Sequence, residues 1–293
     1  MIYDTIIIGA GPAGIAAAIQ LKRNGLNALL MEKNQLGGLM LNANLIENYP
    51  GFDKGITGAG LAHRFQQHLK QLGIKPMFRT VRSIKQTTQG FAVATDKGIY
   101  NCRSLVIASG TKPKPLGIAG ETEAVLSKKL LYEIKDIPDN NRSKLFTVIG
   151  GGEAAFDYAL NLSHRDKSVN IVFRNGQPRA MALLVTRVKD NKNIKIWPNI
   201  KPTRIFITNN KVVLCGNRDK QNVALYSDCI LAAIGRMPCL DFLPARSEKI
   251  LKAKGLFMAG DVRRGNHRQT VIAAGEGLLA AMQVIDYIKE LKC

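Results

Sequence analysis

The sequence predicts an α/β protein built from two Rossmann-like three-layer dinucleotide-binding domains, the second inserted into the first. Two glycine-rich fingerprints predict this architecture, because each follows a short apolar strand and opens a helix. A third observation is that a further strand and a long helix follow the second unit, where they can complete the first. At 293 residues the chain is long for one hydrophobic core and comfortable for two.

The first fingerprint starts directly after the apolar, β-branched strand predicted at Thr5–Ile8. In the G-x-G-x-x-G pattern of Gly9–Gly14, the first glycine allows a tight turn, the second admits a pyrophosphate and the third lets the helix pack closely. The helix is predicted at Ile15–Asn24, and its N-terminus offers N–H groups to phosphate. The next strand, Ala28–Met31, ends at Glu32, which suits hydrogen bonding to an adenosine ribose.

Between this unit and the second fingerprint, the pattern predicts one amphipathic helix, an antiparallel meander, a separate buried strand and a break. In that order these segments are Gly60–Leu72, then Val81–Ile84, Gly90–Thr95 and Gly98–Cys102, then Ser104–Ala108, then Lys112–Pro115. Because two prolines interrupt regular structure in the last segment, we expect the chain to cross between domains there.

The second fingerprint follows a strand predicted at Lys144–Ile149 and reads G-x-G-x-x-A over Gly150–Ala155. The next strand, Val169–Phe173, is not followed by the acid typical of an NAD site. Arg174 and Arg179 come there instead, and arginine suits the 2′-phosphate of NADPH. The alternative is that these are surface arginines beside an NADH site.

The remaining elements are predicted from short apolar runs and turn residues. They are the strands Ile194–Trp197, Pro202–Thr208 and Lys211–Leu214 with a hairpin turn at Asn209-Asn210, the strands Cys229–Ile234 and Gly255–Asp261, and the helix Gln269–Leu291. Two fingerprints in one chain imply two dinucleotides that exchange a hydride, so FAD in the first unit and NAD(P)H in the second is the expected pairing.

The charge is strongly basic, with 42 Lys and Arg against 22 Asp and Glu and a net charge of +20. Such a surface suits an acidic partner such as a small electron carrier, or it reflects a general preference for Lys and Arg with no partner. Nucleic acid is not expected, because the basic residues are dispersed and no nucleic-acid motif is present. No apolar stretch predicts a membrane span or a cleavable signal, so a cytoplasmic location is expected. The five scattered cysteines predict neither a disulfide framework nor a metal site.

Taken together, the motifs resemble the low-molecular-weight thioredoxin reductases, which have the class II pyridine nucleotide-disulfide oxidoreductase fold. The resemblance runs nearly end to end and is carried by GAGPAG with Glu32, Gly37-Gly38, Glu47–Gly51, Ala108-Ser109-Gly110, VIGGGEAA, Ala233-Ile234-Gly235, and MAGD followed by His267-Arg268-Gln269. It implies an FAD-binding domain over residues 1–114 and 240–293, an NADPH-binding domain over 115–239, and a homodimer.

The resemblance and the fingerprints together assign two sets of cofactor-binding residues. For FAD they are Gly9, Gly11, Pro12, Ala13, Gly14, Glu32, Lys33, Gly38, Leu39, Asn48, Ala108, Ser109, Gly110, Gly260, Asp261, Arg268, Gln269 and Thr270. For NADPH, with NADH as the alternative, they are Gly150, Gly152, Glu153, Ala154, Ala155, Arg174, Arg179, Ile234, Gly235 and Arg236. The resemblance implies that Asp261 bonds the ribityl chain and that Gln269 faces the isoalloxazine. No catalytic side chain and no metal ligand are assigned.

The sequence departs from that family where the redox C-x-x-C should lie, because the corresponding segment is Glu133-Ile134-Lys135-Asp136. The segment Leu240–Lys254 is also short, and the C-terminal extension typical of ferredoxin–NADP reductases of this type is missing. In contrast, Val125–Tyr132 is similar to the cysteine-free flavodoxin and ferredoxin reductases.

These departures predict an FAD-dependent NAD(P)H oxidoreductase that has no dithiol of its own. Its expected acceptor is a flavodoxin- or ferredoxin-type carrier or a small molecule such as a quinone. The alternatives are a disulfide reductase that uses a single or partner-supplied thiol, a non-catalytic flavin-binding redox sensor, and an enzyme that oxidises an unidentified small molecule.

Overall fold

The computed structural model describes residues 1–138, 140–244 and 248–291. The chain divides into two compact units. Unit 1 contains Met1–Leu41, Ile46–Lys112 and Met237–Cys293, and unit 2 contains Asn42–Leu45 and Pro113–Arg236. The prediction of two Rossmann-like units, one inserted into the other, is confirmed. The divisions at 112 and 237 lie beside the expected boundaries at 114 and 240, whereas the grouping of residues 42–45 with unit 2 was not expected.

The secondary structure alternates between strands and helices through both units. The strands are β1 (Ile2–Ile8), β2 (Ala28–Glu32), β3 (Met77–Phe78), β4 (Val81–Thr87), β5 (Gly90–Thr95), β6 (Gly98–Ile107), β7 (Thr111–Pro113), β8 (Leu130–Leu131), β9 (Leu145–Ile149), β10 (Ser168–Val172), β11 (Ile194–Trp197), β12 (Lys201–Thr208), β13 (Lys211–Arg218), β14 (Gln221–Ser227), β15 (Cys229–Ala232), β16 (Arg236–Pro238) and β17 (Leu256–Met258). The helices are α1 (Pro12–Arg23), α2 (Gly58–Gln71), α3 (Glu121–Leu126), α4 (Glu153–Ser163), α5 (Ala182–Lys189), α6 (Glu248–Leu251) and α7 (Thr270–Glu290).

The sheet of unit 1 is built around β1, which pairs in parallel with β2 on one side and with β6 on the other. The order is β3-β2-β1-β6-β5-β4, and β17 also pairs with β6. Strand β6 therefore changes partners along one edge within this sheet: Gly98–Cys102 pair antiparallel with β5, and Leu105–Ile107 pair parallel with β17. The sequence predicts two strands here, at Gly98–Cys102 and Ser104–Ala108, and that prediction is wrong. No turn residue separates them, so the chain continues as one strand that changes partners.

The core of unit 1 lies on both faces of this sheet. On one face α1 and α7 cover β1 through small and aliphatic side chains, including Ile7, Ala17 and Ala281. On the other face a second apolar cluster joins β1 and β6 to the meander through Ile6, Phe91 and Leu105. Both faces of β1 are thus buried, which explains its unbroken run of isoleucines.

Helix α7 is 21 residues long and has a mean hydropathy of 1.4 over its most apolar stretch, so by length and composition alone it could cross a membrane. Its inner face, however, packs against α1: a Cβ on Gly277 would lie 2.0 Å from the carbonyl oxygen of Ala13. Ala280, Val284 and Ile288 on the same face are buried in the core of unit 1. We therefore assign α7 to that core, and the expected absence of a membrane span stays a prediction.

Unit 2 contains a parallel sheet in the order β11-β10-β9-β15-β8. Helices α4 and α5 cover one face through side chains such as Phe156, Ala159 and Val188. The antiparallel sheet β12-β13-β14 covers the other face through Ile205 and Leu214, among others. The three layers are those of a dinucleotide-binding domain.

The structure differs from the sequence prediction at three further elements. Strand β14, Gln221–Ser227, was not predicted, because its alternation of polar and apolar residues is weak. The strand predicted at Gly255–Asp261 is only Leu256–Met258 and is followed by a 3₁₀ turn at Gly260–Val262. The strand predicted at Cys229–Ile234 ends at Ala232. The hairpin turn at Asn209-Asn210 is present, and both residues have positive φ, 45° and 58°.

Candidate functional site

In unit 1 the chain turns from β1 into α1 at the glycine-rich segment. Gly9 has a φ of +103°, and a Cβ there would lie 2.4 Å from the carbonyl oxygen of Ala108. A Cβ on Gly14 would lie 1.8 Å from the carbonyl oxygen of Gly9. The first and third glycines of the fingerprint are therefore required by the packing of the protein itself.

Gly11 differs from both, because a Cβ there would meet only the Cα of Gly38, at 4.0 Å. Gly11 is the residue immediately before α1, so the open space lies at the N-terminus of a 12-residue helix. The second segment that borders this space is the turn at Gly37-Gly38, where Gly37 donates its N–H to the carbonyl of Ala10 at 2.8 Å. Backbone N–H groups at an open helix N-terminus fit a pyrophosphate, so the residues present fit the FAD that the sequence predicts.

The acid predicted to hold the ribose lies at the same edge of the sheet. One carboxylate oxygen of Glu32 accepts the N–H of Ala10 at 2.8 Å, and the other accepts the N–H of Asn34 at 3.0 Å. Glu32 is only partly buried. The carboxylate is thus held against the glycine-rich turn while it remains accessible to a ribose hydroxyl.

The structure brings together two predicted residues that are far apart in sequence. The side-chain amide nitrogen of Asn48 donates to the side-chain oxygen Oε1 of Gln269 at 2.9 Å. Gln269 immediately precedes α7, and Asn48 lies in the Glu47–Asp53 loop, which lines a cavity of about 500 Å³. The resemblance places Gln269 against the isoalloxazine, and the loop is therefore a neighbour of that position.

A residue that the sequence analysis missed, Glu276 of α7, holds the next segment of this site. Its side chain is buried, with a relative exposure of 9%. One carboxylate oxygen accepts the N–H of Gly260 at 2.7 Å, and the other accepts Nε of Arg264 at 2.6 Å. The carboxylate therefore joins α7 to the turn that carries Asp261. The available signal was the one acid in the apolar stretch 270–285 of a core helix, since buried acids are nearly always paired.

Unit 2 repeats the arrangement of the glycines. A Cβ on Gly150 would lie 2.4 Å from the carbonyl oxygen of Ala233, whereas no atom lies within 4 Å of a Cβ on Gly152. Gly152 immediately precedes α4, so open space again adjoins a helix N-terminus. The N–H of Arg179 donates to the carbonyl of Gly151 at 2.6 Å, which fixes the Arg179 backbone beside the fingerprint. Both Arg174 and Arg179 are exposed. This arrangement fits a dinucleotide.

The segment that corresponds to the missing C-x-x-C contains an ion cluster. Glu133 is buried and pairs with Nη2 of Arg236 at 2.5 Å and with Nζ of Lys135 at 2.9 Å. Burial would raise the pKa of Glu133, but Arg236 and Lys135 outweigh it and hold the pKa below its usual value. Burial, together with the Glu133 carboxylate, raises the pKa of Asp136. Arg236, predicted to contact NADPH, thus has a carboxylate partner within the protein.

Asp157 of α4 is a second titratable group that the sequence analysis missed. Burial raises its pKa to about 6, although its carboxylate accepts the N–H of Asn44 at 2.9 Å. Both residues belong to unit 2, because residues 42–45 group with that unit. The Asp157 carboxylate thus gives the backbone N–H of Asn44, in the segment 42–45, a hydrogen-bond acceptor.

The cysteines give no dithiol among the described residues. Burial raises the pKa of Cys102 and Cys229 to about 12. Cys215 and Cys239 are partly exposed, and all four are free thiols. Cys239 lies beside a predicted FAD segment, since its carbonyl accepts Oγ of Ser109 at 2.7 Å. Cys293 lies outside the described residues.

The other predicted residues adjoin these same segments. Of the residues assigned to FAD, Pro12 and Ala13 are in the first turn of α1, Lys33 follows β2, and Gly38 and Leu39 start a 3₁₀ turn. Ala108 to Gly110 follow β6, and Arg268 and Thr270 flank Gln269. Of the residues assigned to NADPH, Glu153 to Ala155 start α4, and Ile234 and Gly235 follow β15. Within the described residues no three His, Cys, Asp or Glu side chains are grouped as a metal site would require.

Comparison with known proteins identifies the family to which this arrangement belongs. The family pattern described as pyridine nucleotide-disulphide oxidoreductase matches residues 3–277. The chain is 30% identical to a thioredoxin reductase of Bacillus subtilis over 306 aligned positions, which cover 99% of this chain and 96% of the relative. It also superimposes on the thioredoxin reductase of Lactococcus lactis, in the conformation designated FR, with a TM-score of 0.88 at 27% identity, covering 98% of this chain and 99% of that one.

The thioredoxin reductase of T. acidophilum gives a TM-score of 0.86 at 29% identity, with 99% of each chain covered. Members of this family that resemble thioredoxin reductase bind FAD and use NADPH, the two cofactors that the sequence predicts for units 1 and 2. The chain therefore belongs to the pyridine nucleotide-disulphide oxidoreductase family and is a thioredoxin reductase-like, FAD-dependent NAD(P)H oxidoreductase.

Proposed function

We propose that this enzyme passes electrons from NADPH through FAD to an acceptor without a redox dithiol of its own. The proposed acceptor is a flavodoxin- or ferredoxin-type carrier or a small molecule such as a quinone. One observation carries the proposal: the segment Glu133–Asp136, which corresponds to the redox C-x-x-C, holds an ion cluster instead of thiols. A carboxylate between two cations can neither accept nor relay electrons.

Among the described residues, the remaining thiols do not replace the missing pair. A disulfide relay needs a thiolate to attack and a second thiol nearby to resolve the mixed disulfide. With a pKa of about 12, Cys102 and Cys229 are protonated at neutral pH. Cys215 belongs to unit 2 and Cys239 to unit 1, so among the described residues neither unit contains two partly exposed thiols. Transfer directly from the flavin needs no thiol.

FAD bound in unit 1 would supply the electron chemistry: it would take two electrons from NADPH as a hydride and would give them up singly to a carrier or as a pair to a quinone or disulfide. The chain's own residues bind and orient. We assign the pyrophosphate of FAD to the open backbone at Gly11 and its ribose to Glu32. Asn48 and Gln269 hold each other beside the isoalloxazine position, which keeps the amide of Gln269 in one orientation.

For the coenzyme we assign Arg174 and Arg179 to the 2′-phosphate of NADPH. The support is their exposure and the bond that fixes Arg179 to Gly151, next to the open space at Gly152. Arginine pairs strongly with phosphate because two parallel N–H groups match two oxygens. Arg236 has Glu133 as a partner, so we assign it a weaker part in coenzyme binding.

The test uses the purified holoenzyme. NADPH should bleach the flavin spectrum under anaerobic conditions, and reoxidation should then be followed with a flavodoxin, a ferredoxin, a quinone, and oxidised thioredoxin. We expect turnover with a carrier or the quinone and none with thioredoxin. Efficient reduction of thioredoxin, with negligible turnover of the other three acceptors, would overturn the proposal.

A second candidate is a disulfide reductase that uses a single thiol or one supplied by its partner. The observation in its favour is that the relatives reported above are named thioredoxin reductases. A single thiol would leave a mixed disulfide, so turnover would stop unless a second thiol were supplied. Trapping a covalent adduct between the enzyme and a disulfide substrate would favour this candidate.

We also propose that the enzyme is a cytoplasmic homodimer, as the resemblance implies, and that it does not bind nucleic acid. Leu278, Leu279 and Met282 of α7 are 43%, 52% and 50% exposed and form an apolar strip on the outer face of unit 1. Large exposed apolar side chains in a row are typical of a covered surface. Analytical ultracentrifugation should show a dimer; a monomer at micromolar concentration would exclude this part of the proposal.

A further inference from the structure

The turn between β17 and α7 carries an unusual concentration of positive charge. Four of the six residues 263–268 are basic in type: Arg263, Arg264, His267 and Arg268. Arg263 and His267 are exposed, and Arg264 keeps 43% of its side chain exposed. We call residues 263–268 the basic loop.

The basic loop is held in a defined conformation. The guanidinium of Arg268 donates twice to the carbonyl of Arg264, from Nε at 3.2 Å and from Nη2 at 3.1 Å. Arg264 in turn donates to the buried carboxylate of Glu276, and the N–H of Arg263 donates to the carbonyl of Gly260 at 3.1 Å. A loop ordered in advance presents its charges to a partner at little entropic cost.

The position of the basic loop relates it to electron transfer. Gly260 and Asp261 precede it, Arg268 is its last residue and Gln269 follows it, and all four are assigned to FAD. The loop also lies close to Asn48, because Gln269, the residue after the loop, accepts a hydrogen bond from the Asn48 side chain at 2.9 Å. A carrier seated on this loop would therefore lie beside the residues assigned to the flavin, as short-range electron transfer requires.

Acidic groups adjoin the basic loop. Glu276 neutralises one arginine, and Asp261 lies at the base of the turn. Arg263 and Arg268 remain as cations, against a background net charge of +20. The loop is thus electropositive at the point nearest the assigned flavin residues, and complementary potentials raise association rates.

We propose that the basic loop is the docking surface for a small acidic electron-carrier protein of the flavodoxin or ferredoxin type. This inference rests on the proposed function, because it names where the carrier binds. Arg263 contacts the carrier through its exposed guanidinium, and Arg264 and Arg268 keep the loop in shape. Small neutral acceptors need no such surface.

The test compares Arg263→Glu with Arg82→Glu, a matched reversal of an exposed arginine on β4 of the same unit. Both substitutions change the net charge equally. At low salt, Arg263→Glu should lower kcat/KM for flavodoxin by about tenfold. Arg82→Glu should change it by less than about twofold, and quinone reduction should be unaffected in both. Calorimetric titration of flavodoxin into the oxidised holoenzyme, without NADPH, gives a readout independent of turnover and should show the same ranking.

Equal losses in the two variants would overturn the docking assignment in favour of a diffuse field. Unchanged binding in both, with salt-sensitive binding to the wild type, would place the docking surface elsewhere. If Arg263→Glu does not fold, Arg263→Gln takes its place in the comparison, and we expect it to show a smaller loss of kcat/KM for flavodoxin. If the wild type bleaches with NADPH and reduces quinone but neither binds nor reduces flavodoxin or ferredoxin, the docking proposal fails while dithiol-free transfer survives. Failure to turn over any acceptor except a disulfide would overturn both.

Discussion

The Glu32 carboxylate accepts the backbone N–H of Ala10 at 2.8 Å, so the acid that ends β2 is bonded to the turn that follows β1. The two residues are 22 positions apart, and the parallel pairing of β1 with β2 brings them together. The bond places a carboxylate beside the open space at Gly11. The glycines around it have different roles, and these roles can be separated by substitution.

Gly11→Val should fold but lose FAD, because its side chain would occupy only the space assigned to the pyrophosphate. Gly14→Ala should instead destabilise the protein by about 3 kcal/mol, because its Cβ would overlap the Gly9 carbonyl. Flavin absorbance and the Tm of the cofactor-free protein measure the two effects. Gly275→Ala, at an exposed and open position of α7, is the control: it should keep FAD and should not lower Tm, because alanine favours a helix over glycine. Retention of FAD by Gly11→Val would contradict the assignment.

Arg174→Ala should reduce the preference for NADPH over NADH. A charge-assisted contact to phosphate contributes about 1.5–3 kcal/mol, so the ratio of the two kcat/KM values should fall about tenfold or more, less any solvent screening. Arg179→Ala should act in the same direction. Arg165→Ala, which removes an exposed arginine elsewhere in unit 2, should leave the ratio unchanged. An unchanged ratio in Arg174→Ala would mean that this arginine does not contact the 2′-phosphate.

A variant in which all five cysteines are replaced by Ser or Ala should keep flavin reduction and acceptor turnover. The reason is that the proposed route passes no electrons through sulfur. Losses should follow Tm alone and should come mainly from the buried Cys102 and Cys229. Single Cys239→Ser and Cys293→Ser variants are the informative controls. Turnover abolished by one of them at unchanged Tm would indicate thiol chemistry.

Deprotonation of Asp157 should lower the stability of the protein as pH rises. Its pKa is about 6 in the folded state against an ordinary 3.8, so between those values the folded state binds more protons than the unfolded state. The free energy of unfolding therefore decreases between about pH 4 and pH 6 and stays at the lower value above pH 6. Asp157→Asn keeps an oxygen for the N–H of Asn44 and removes that loss, so it should be more stable than wild type at pH 7 by about 1–3 kcal/mol. Denaturant unfolding at pH 4.5 and pH 7.5 measures the difference.

Asp228 is the control with the opposite sign. Burial would raise its pKa, but the Lys211 ammonium and the N–H groups of Lys144 and Leu145 outweigh it and lower the pKa. Its stabilisation is present above the ordinary pKa of 3.8 and is lost as pH falls further. Asp228→Asn should therefore cost about 1 kcal/mol at pH 7, with no such cost in acid. The same sign of effect at both aspartates would contradict the assignment.

Reduction of an acidic carrier should slow steeply with added salt, because long-range attraction to a surface of net charge +20 is screened. Reduction of a neutral quinone by the same preparation should barely respond. The measurement is kcat/KM for both acceptors between 20 and 300 mM NaCl, a span of roughly 20 to 6 Å in Debye length. Carrier reduction that is independent of salt would remove the electrostatic argument for an acidic partner.

The sequence by itself determined the fold class and the two nucleotide-binding turns. Those features depend on local requirements: Gly9 must adopt a positive φ, Gly14 must approach β1, and each fingerprint needs a strand before it and a helix after it. The missing dithiol is equally a property of residue order. The NADPH preference was predicted from Arg174 and Arg179 and remains a prediction.

Only the tertiary structure decided how β6 divides between two partners, since a strand of ten residues carries no sign of where its neighbours change. It also decided the partners of the buried charges. Glu276 is 16 residues from Gly260, and Glu133 is 103 residues from Arg236. A buried carboxylate must find a cation or an N–H group, but which one it finds depends on how the strands and helices pack, and sequence spacing does not encode that over such distances.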